Sequence, residues 1–221
     1  MGGHANGQQA SFSAVQAASE CLLREVILPL TQPSAEQRQS TPMNEALENA
    51  FMAANARVWR DAPGGGSTLT IVLLIGRRIY VGHVGDCRLY LIRRGELELL
   101  TRDHSLLNRL IELGQIEADD TLPLENDPRR NSLYQAIGQL EPMEIDFFSR
   151  TVEAGDELLL CCDGLWSAAP AEELGRIIAS AASPADACRR LVERANAAGG
   201  HDNITAILIQ LLQPAQETDK P

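Results

Sequence analysis

The chain has 221 residues, and its 44% hydrophobic and 22% charged residues are typical of a globular protein that builds its core without disulfides. It carries 19 Lys and Arg against 30 Asp and Glu, a formal net charge of -11. A surface that follows nucleic-acid phosphates or anionic lipids needs an excess of basic side chains, so this charge argues against a nucleic-acid binder and against electrostatic attachment to a membrane. The five cysteines include no CxxC pair, which favours reduced thiols and a cytoplasmic location over a disulfide framework or a zinc ribbon.

Two helices are predicted first along the chain. Apolar residues at helical spacing indicate a helix over about residues 11–30, with a stripe made of Phe12, Val15, Leu22 and Val26. A polar loop separates it from a second helix that begins near Pro42, with Thr41 as the expected N-cap. The apolar positions of the second helix are Met43, Leu47, Phe51, Ala54 and Val58.

The stretch Pro63-Gly64-Gly65-Gly66 marks a change from helical to strand periodicity. Four short β-branched or alternating segments follow and predict a meander of antiparallel strands: TLTIVLLI, RIYVGHVG, CRLYLIRR and ELELLT. Beyond them we expect helices near Ser105–Leu113 and Ser132–Ile137, and His104 is expected to form a hydrogen bond near the start of the first of these. The remaining predicted elements are the strands EIDFFSRTV and DELLLCC, two helices led by Pro170 and Pro184, and a buried strand ITAILIQLL.

This order of elements predicts an α+β fold, because the helices are segregated from antiparallel strands. Two helix pairs need two sheet faces, so the expected architecture is a four-layer α-β-β-α sandwich of two stacked antiparallel sheets. We expect a single domain over residues 1–212 and a disordered polar tail over residues 213–221.

Three aspartates stand at the ends of predicted strands. Asp163 follows DELLLCC, Asp202 precedes ITAILIQLL, and Asp86 lies between RIYVGHVG and CRLYLIRR. If these strands are neighbours the carboxylates converge, and a hard divalent cation with oxygen ligands relieves their repulsion. The alternative is that each aspartate caps its own turn, a common role for this residue type.

Six segments, spanning residues 1 to about 211, match one family in order and register: MGGHANGQQAS, GGGSTLTIVLL, VGHVGDCRLYLIRRGELELLTRDHS, RRNSLYQAIG, GDELLLCCDGLW and GGHDNITAILIQL. They resemble the motifs of the metal-dependent serine/threonine protein phosphatases of type 2C in their bacterial form. The resemblance implies hydrolysis of phosphoserine and phosphothreonine in proteins, opposing a cognate serine/threonine kinase. It implies two Mg²⁺ or Mn²⁺ ions, with a third in some members, and a water held between two ions that attacks phosphorus directly.

Residue by residue, the resemblance implies that Asp163 and Asp202 bind the metal ions and that Asp86 contributes to a third site. Asn203 and Gly164 would lie behind these ligands and orient them, although Asn203 is equally a turn former. No catalytic side chain beyond the ligands is expected, and the protein is expected to be a monomer. The alternative function is a catalytically weak or dead family member that binds phosphoproteins as a regulatory module.

The sequence departs from the family pattern at several positions. The family has Asp-Gly directly before Met-Gly-Gly-His, and that aspartate bridges both metals, whereas this sequence opens at Met1. Mutation of a residue that orients a metal ligand typically lowers metal affinity roughly 10–100-fold, and the loss of a bridging ligand should lower it more. We therefore expect an N-terminally incomplete domain that lacks the family's first strands, and a weak or inactive phosphatase. Two explanations remain open: the true protein starts further upstream, or the chain is a degenerate family member. Ser167 replaces an acidic residue near the third site, and Cys87 and Cys162 replace serines.

Overall fold

The computed structural model describes residues 6–31, 41–116, 127–139 and 142–212. The chain forms two compact units: a first unit of residues 1–86 and 103–150, and a second unit of residues 87–102 and 151–221. The predicted tail over residues 213–221 lies outside the described residues, and the single domain over residues 1–212 stays a prediction. Among the described helices, none combines the length and apolar character that a membrane span requires.

The described part of the chain contains the following helices and strands. The helices are α1 (Gly7–Leu22), continued by a π-helical turn (Leu23–Ile27) and α2 (Leu28–Thr31), then α3 (Met43–Asp61), α4 (Leu106–Glu112), α5 (Asp163–Trp166), α6 (Ala171–Ala179) and α7 (Pro184–Ala197). The strands are β1 (Leu69–Ile75), β2 (Arg78–Val84), β3 (Arg88–Arg93), β4 (Glu96–Leu99), β5 (Asp146–Thr151), β6 (Glu157–Cys161) and β7 (Ala206–Gln210).

Two antiparallel sheets with packed helices confirm the predicted α+β class. The first sheet has the strand order β1-β2-β5 and the second has the order β4-β3-β6-β7. In the first unit α1 packs along α3 and α3 packs on β2, with Phe51 edge-on to Phe147 in the core. In the second unit α6 contacts β4, and α7 contacts β7 and α6. Each sheet therefore carries its own helix pair.

The predicted four-strand meander was wrong. β1 pairs with β2 and β3 pairs with β4, as two hairpins, but the two hairpins belong to different sheets. The break falls at Gly85, whose φ of +115° lies in a region that glycine adopts far more readily than other residues. Alternation within each strand predicts the strand but carries no information on which strand it joins.

The buried face of α1 also differs from prediction. Phe12 and Val15 are 64% and 58% exposed, whereas Leu22 and Val26 are buried as expected. The other buried positions of α1 are mostly small residues: Ala10, Ser13, Ala14, Ala17, Ala18 and Cys21. Small side chains allow a close helix–helix approach, so the face packed on α3 is the alanine face and not the face with the largest apolar residues.

The second predicted helix has the predicted core. Its buried residues include Leu47, Phe51, Ala54 and Val58. Its N-cap position is held by Pro42, without a side-chain cap, so the predicted cap at Thr41 was wrong by one residue.

Two further predictions fail for reasons of backbone pairing. Residues 132–137 are not helical, because Ile137 exchanges backbone hydrogen bonds of 2.7 and 3.1 Å with Ser67, and the Ser132 carbonyl accepts from Leu106 N–H at 2.7 Å. The last strand is an edge strand and not a buried one, with Ile207 and Ile209 50% and 37% exposed.

Candidate metal centre

Asp163 and Asp202 lie together at one end of the second sheet. β6 and β7 are antiparallel, and their ladder reaches this end with Cys161 opposite Ala206. Asp163 begins α5 two residues after Cys161, and Asp202 lies four residues before Ala206. The two chain segments therefore leave the ladder side by side, as the sequence predicts, and the role of the two carboxylates as metal ligands stays a prediction.

Gly164 allows the close approach of these two segments. A Cβ atom at Gly164 would lie 3.4 Å from Asp202 Cβ and would collide with the carbonyl oxygen of Asn203. Any other residue at this position would push the Asp202 segment away from Asp163. The predicted role of Gly164 and Asn203 in orienting metal ligands stays a prediction.

Short hydrogen bonds order both carboxylates. Asp163 Oδ1 accepts from Gly164 N–H at 2.9 Å, and Asp202 Oδ1 accepts from Asn203 N–H at 2.7 Å. The Asp163 carbonyl accepts from the Ser167 hydroxyl at 2.6 Å, which stabilises the single turn of α5. Each side chain is thus bonded to the backbone beside it, and its orientation is set locally.

Electrostatics at this end of the sheet favour a bound cation. Burial raises the pKa of Asp163, and the negative charge of Asp202 raises it further. A half-buried carboxylate beside a second carboxylate is costly as an anion, and a divalent cation between them would offset both the desolvation and the repulsion.

The donor chemistry fits a Mg²⁺ or Mn²⁺ ion. Both metals favour carboxylate oxygens and water, and Mg²⁺ in proteins is commonly held by one or two carboxylates with several retained waters. Within the described ranges, no group of three or more His, Cys, Asp and Glu side chains is arranged around a common point. Two aspartates with water completing the coordination are therefore what this part of the chain supplies.

Asp86 lies in the first unit, directly after Gly85, and is 8% exposed. Two buried histidines hold the peptide groups of Gly85. His83 Nε2 and His104 N–H donate to the Gly85 carbonyl at 2.9 and 2.7 Å, and Gly85 N–H donates to His104 Nδ1 at 3.3 Å. The loop that presents Asp86 is thus fixed by side chains from both sides, and its role at a third metal stays a prediction.

The contacts of the two imidazole rings identify one donor. The Gly85 carbonyl only accepts, so His83 Nε2 is the donor in that bond, and His83 Nδ1 lies 2.8 Å from the Thr70 hydroxyl oxygen. His104 Nδ1 accepts from an amide, which leaves its Nε2 facing an Asp146 oxygen 3.2 Å away, too poorly aligned for a hydrogen bond. His104 is therefore buried in a polar network, while Ser105 is the residue that caps α4.

The sequence does not reveal the histidine pair or the contacts of Cys162. His83 occupies a position in β2 where the alternating pattern favours a buried residue. Because a buried histidine needs hydrogen-bond partners, the sequence could have indicated that His83 belongs to a polar network. Cys162 shows no comparable pattern, because its contacts lie about forty residues away along the chain.

Comparisons with known proteins agree with the fold and the motifs. The model of the family "Protein phosphatase 2C" matches residues 12–114. The serine/threonine phosphatase stp of Listeria welshimeri is 33% identical over 210 residues, which cover 95% of this chain and 81% of the relative.

Two solved structures extend this similarity to three dimensions. The Streptococcus agalactiae serine/threonine phosphatase superposes with a TM-score of 0.79 at 29% identity, covering 96% of this chain and 84% of that one. The catalytic domain of the serine/threonine protein phosphatase PstP, solved in complex with two manganese ions, superposes with a TM-score of 0.72 at 29% identity, covering 96% and 85%.

Proposed function

Because the chain belongs to the type 2C family of serine/threonine protein phosphatases, we propose that it hydrolyses phosphoserine and phosphothreonine in proteins with two bound Mg²⁺ or Mn²⁺ ions. The observation that carries the proposal is the contact between the Asp163 and Asp202 segments, with the raised pKa of Asp163. The manganese-bound PstP catalytic domain supports the choice of cofactor. The proposed partners are phosphorylated proteins and the serine/threonine kinase that modifies them.

The chain's own residues would prepare the centre for hydrolysis. Asp163 and Asp202 would supply anionic oxygens, and the backbone amides of Gly164 and Asn203 would hold those oxygens in place. When bound, a pair of divalent ions would lower the pKa of a water molecule and stabilise the charge that develops during displacement at phosphorus. In the net reaction the oxygen of water joins phosphorus, the phosphoester bond breaks, and the serine or threonine oxygen leaves with a proton.

The test measures phosphate release from a phosphothreonine peptide with Mn²⁺ titrated from a chelated, metal-free start. Wild type is compared with Asp202→Asn and with Glu193→Gln, which makes the same carboxylate-to-amide change at an exposed ion pair on α7. We expect Mn²⁺-dependent release that Asp202→Asn abolishes and Glu193→Gln leaves unchanged. A wild type that binds the peptide but releases no phosphate at any Mn²⁺ concentration would contradict the proposal and favour the regulatory module.

A further inference from the structure

The Cys162 side chain connects the two segments that carry Asp163 and Asp202. Its Sγ accepts a hydrogen bond from Thr205 N–H at 3.1 Å and lies 3.1 Å from the Asn203 carbonyl oxygen, to which the thiol proton can be donated. The Cys162 amide adds a bond to the Thr205 carbonyl at 3.3 Å. Cys162 thus makes one backbone contact and two thiol contacts between the segment of Asp163 and the segment of Asp202.

The position of this thiol matters because it lies where the β6–β7 ladder ends. The last register pair is Cys161 with Ala206, and at the next position Cys162 N–H still donates to the Thr205 carbonyl while Thr205 N–H donates to the Cys162 thiol. Cys162 directly precedes Asp163 in the chain, and its two thiol partners, Asn203 and Thr205, directly follow the Asp202 segment. The thiol therefore lies at the point where the two aspartate segments begin to diverge.

The two segments also need an attractive contact. Without a cation the carboxylates of Asp163 and Asp202 repel each other, and Gly164 supplies no side chain to bind the opposite segment. The Asn203 carbonyl that receives the thiol is the same group that faces Gly164. The thiol contact therefore acts on the one carbonyl that sets the spacing between the segments.

We infer that Cys162 is a positioning residue for the metal centre, whose thiol holds the Asp202 segment against Asp163 so that the two carboxylates can share a cation. The inference rests on the proposed function. Cys162 itself contacts no substrate and is not a ligand; its effect passes through Asn203 and Thr205 to Asp202. A hydroxyl in its place can make both contacts, whereas a methyl group can make neither.

The experiment uses three variants of the full chain: Cys162→Ala, Cys162→Ser and, as a matched control, Cys188→Ala. Cys188 is a half-buried thiol on α7 of the same unit. Two quantities are measured without substrate: the exchange rate of the Thr205 amide proton in the metal-free chain, by NMR, and the Mn²⁺ dissociation constant, by calorimetry.

In Cys162→Ala we expect faster Thr205 exchange and about a tenfold weaker Mn²⁺ affinity, in the range found for residues that orient metal ligands. Cys162→Ser should restore most of both, and Cys188→Ala should change neither. Recovery by serine separates positioning from a general loss of packing, and it keeps the test informative if the alanine variant folds poorly.

Two results would overturn the inference. The first is Mn²⁺ binding by Cys162→Ala as tight as that of the wild type, with the wild type binding Mn²⁺ normally. The second is Thr205 exchange unchanged in Cys162→Ala. A wild type that binds no Mn²⁺ at all would instead overturn the proposed function, so the two failures are distinguishable.

Discussion

The two loops that present candidate metal ligands are held in different ways. In the first unit, Gly85 is bonded on both peptide groups by the buried rings of His83 and His104, and Asp86 follows it almost fully buried. In the second unit, Asp163 is half-buried and Asp202 is exposed. Cys162 makes three hydrogen bonds between their segments, two through its half-buried thiol and one through its backbone amide.

The difference separates a rigid loop from an adjustable one. Buried hydrogen bonds from two imidazoles make the Gly85 loop expensive to move, because each lost bond leaves a buried polar group unpaired. The carboxylates of Asp163 and Asp202 are bonded to the backbone amides of the residues that follow them, so each side chain can still turn toward a bound cation. We therefore expect substitutions in the first unit to act on stability and those in the second unit to act on metal affinity.

The largest effect is expected for Asp163→Asn. The amide keeps the shape of the side chain but removes the anionic oxygen, so Mn²⁺ affinity should fall by more than about 100-fold, beyond the range for residues behind a ligand. Calorimetric titration measures it. The stability of the metal-free chain should barely change. A large loss of stability with unchanged Mn²⁺ affinity would contradict the proposed difference between the two loops.

The next effect is expected for Gly85→Ala in the first unit. A Cβ atom there would collide with the Thr68 side chain, and the φ of +115° adds backbone strain. The unfolding free energy should fall by about 3 kcal/mol in urea denaturation. The matched control is Gly76→Ala, which also has positive φ (+59°) but has open space around its Cβ, and it should cost about 1 kcal/mol. Equal losses at the two positions would show that the Gly85 loop is not tightly packed.

Replacing His83 tests the imidazole contribution directly. His83→Leu leaves the Gly85 carbonyl and the Thr70 hydroxyl without this partner and should cost about 1–3 kcal/mol of unfolding free energy. His83→Gln, which can donate and accept, should cost less. Urea denaturation of both variants decides it, and a leucine variant as stable as the glutamine variant would contradict the network.

The smallest effect concerns the pH dependence of the metal-free second unit. The folded state raises the pKa of Asp163, so it binds this proton more tightly than the unfolded state, and stability falls as pH rises through that pKa. Asp202→Asn removes the neighbouring charge and should raise stability near neutral pH by a few tenths of a kcal/mol, with no difference in acid. Urea denaturation with a chelator from about pH 4 to about pH 7 measures the difference, and a less stable Asp202→Asn near neutral pH would contradict it.

The sequence predicts most elements but not all of their surroundings. Period and turn residues correctly indicate the strands from β1 to β6 and the helices α3, α6 and α7, since these are local properties. The same patterns predict that Phe12 and Val15 are buried, but both are exposed, because hydrophobicity alone does not indicate how closely two helices approach. They also predict that Ile207 and Ile209 are buried, because an apolar strand has the same sequence pattern at the centre and at the edge of a sheet.

The candidate site divides in a similar way. Asp163 and Asp202 could be predicted as neighbours because each adjoins a strand that antiparallel pairing brings to the same end of a sheet. The roles of His83 and Cys162 could not, because their partners Gly85, Asn203 and Thr205 are identified by geometry and not by residue type. Backbone groups are present at every position, so a side chain that binds them leaves no pattern in the sequence.

The most direct test of the central claim is anomalous diffraction at the manganese edge from crystals grown with Mn²⁺. The account predicts an anomalous peak within about 2.5 Å of a carboxylate oxygen of both Asp163 and Asp202, and no such peak in crystals of Asp163→Asn. Manganese bound elsewhere, or a peak near these residues that persists in Asp163→Asn, would contradict the claim that the two carboxylates share a divalent ion.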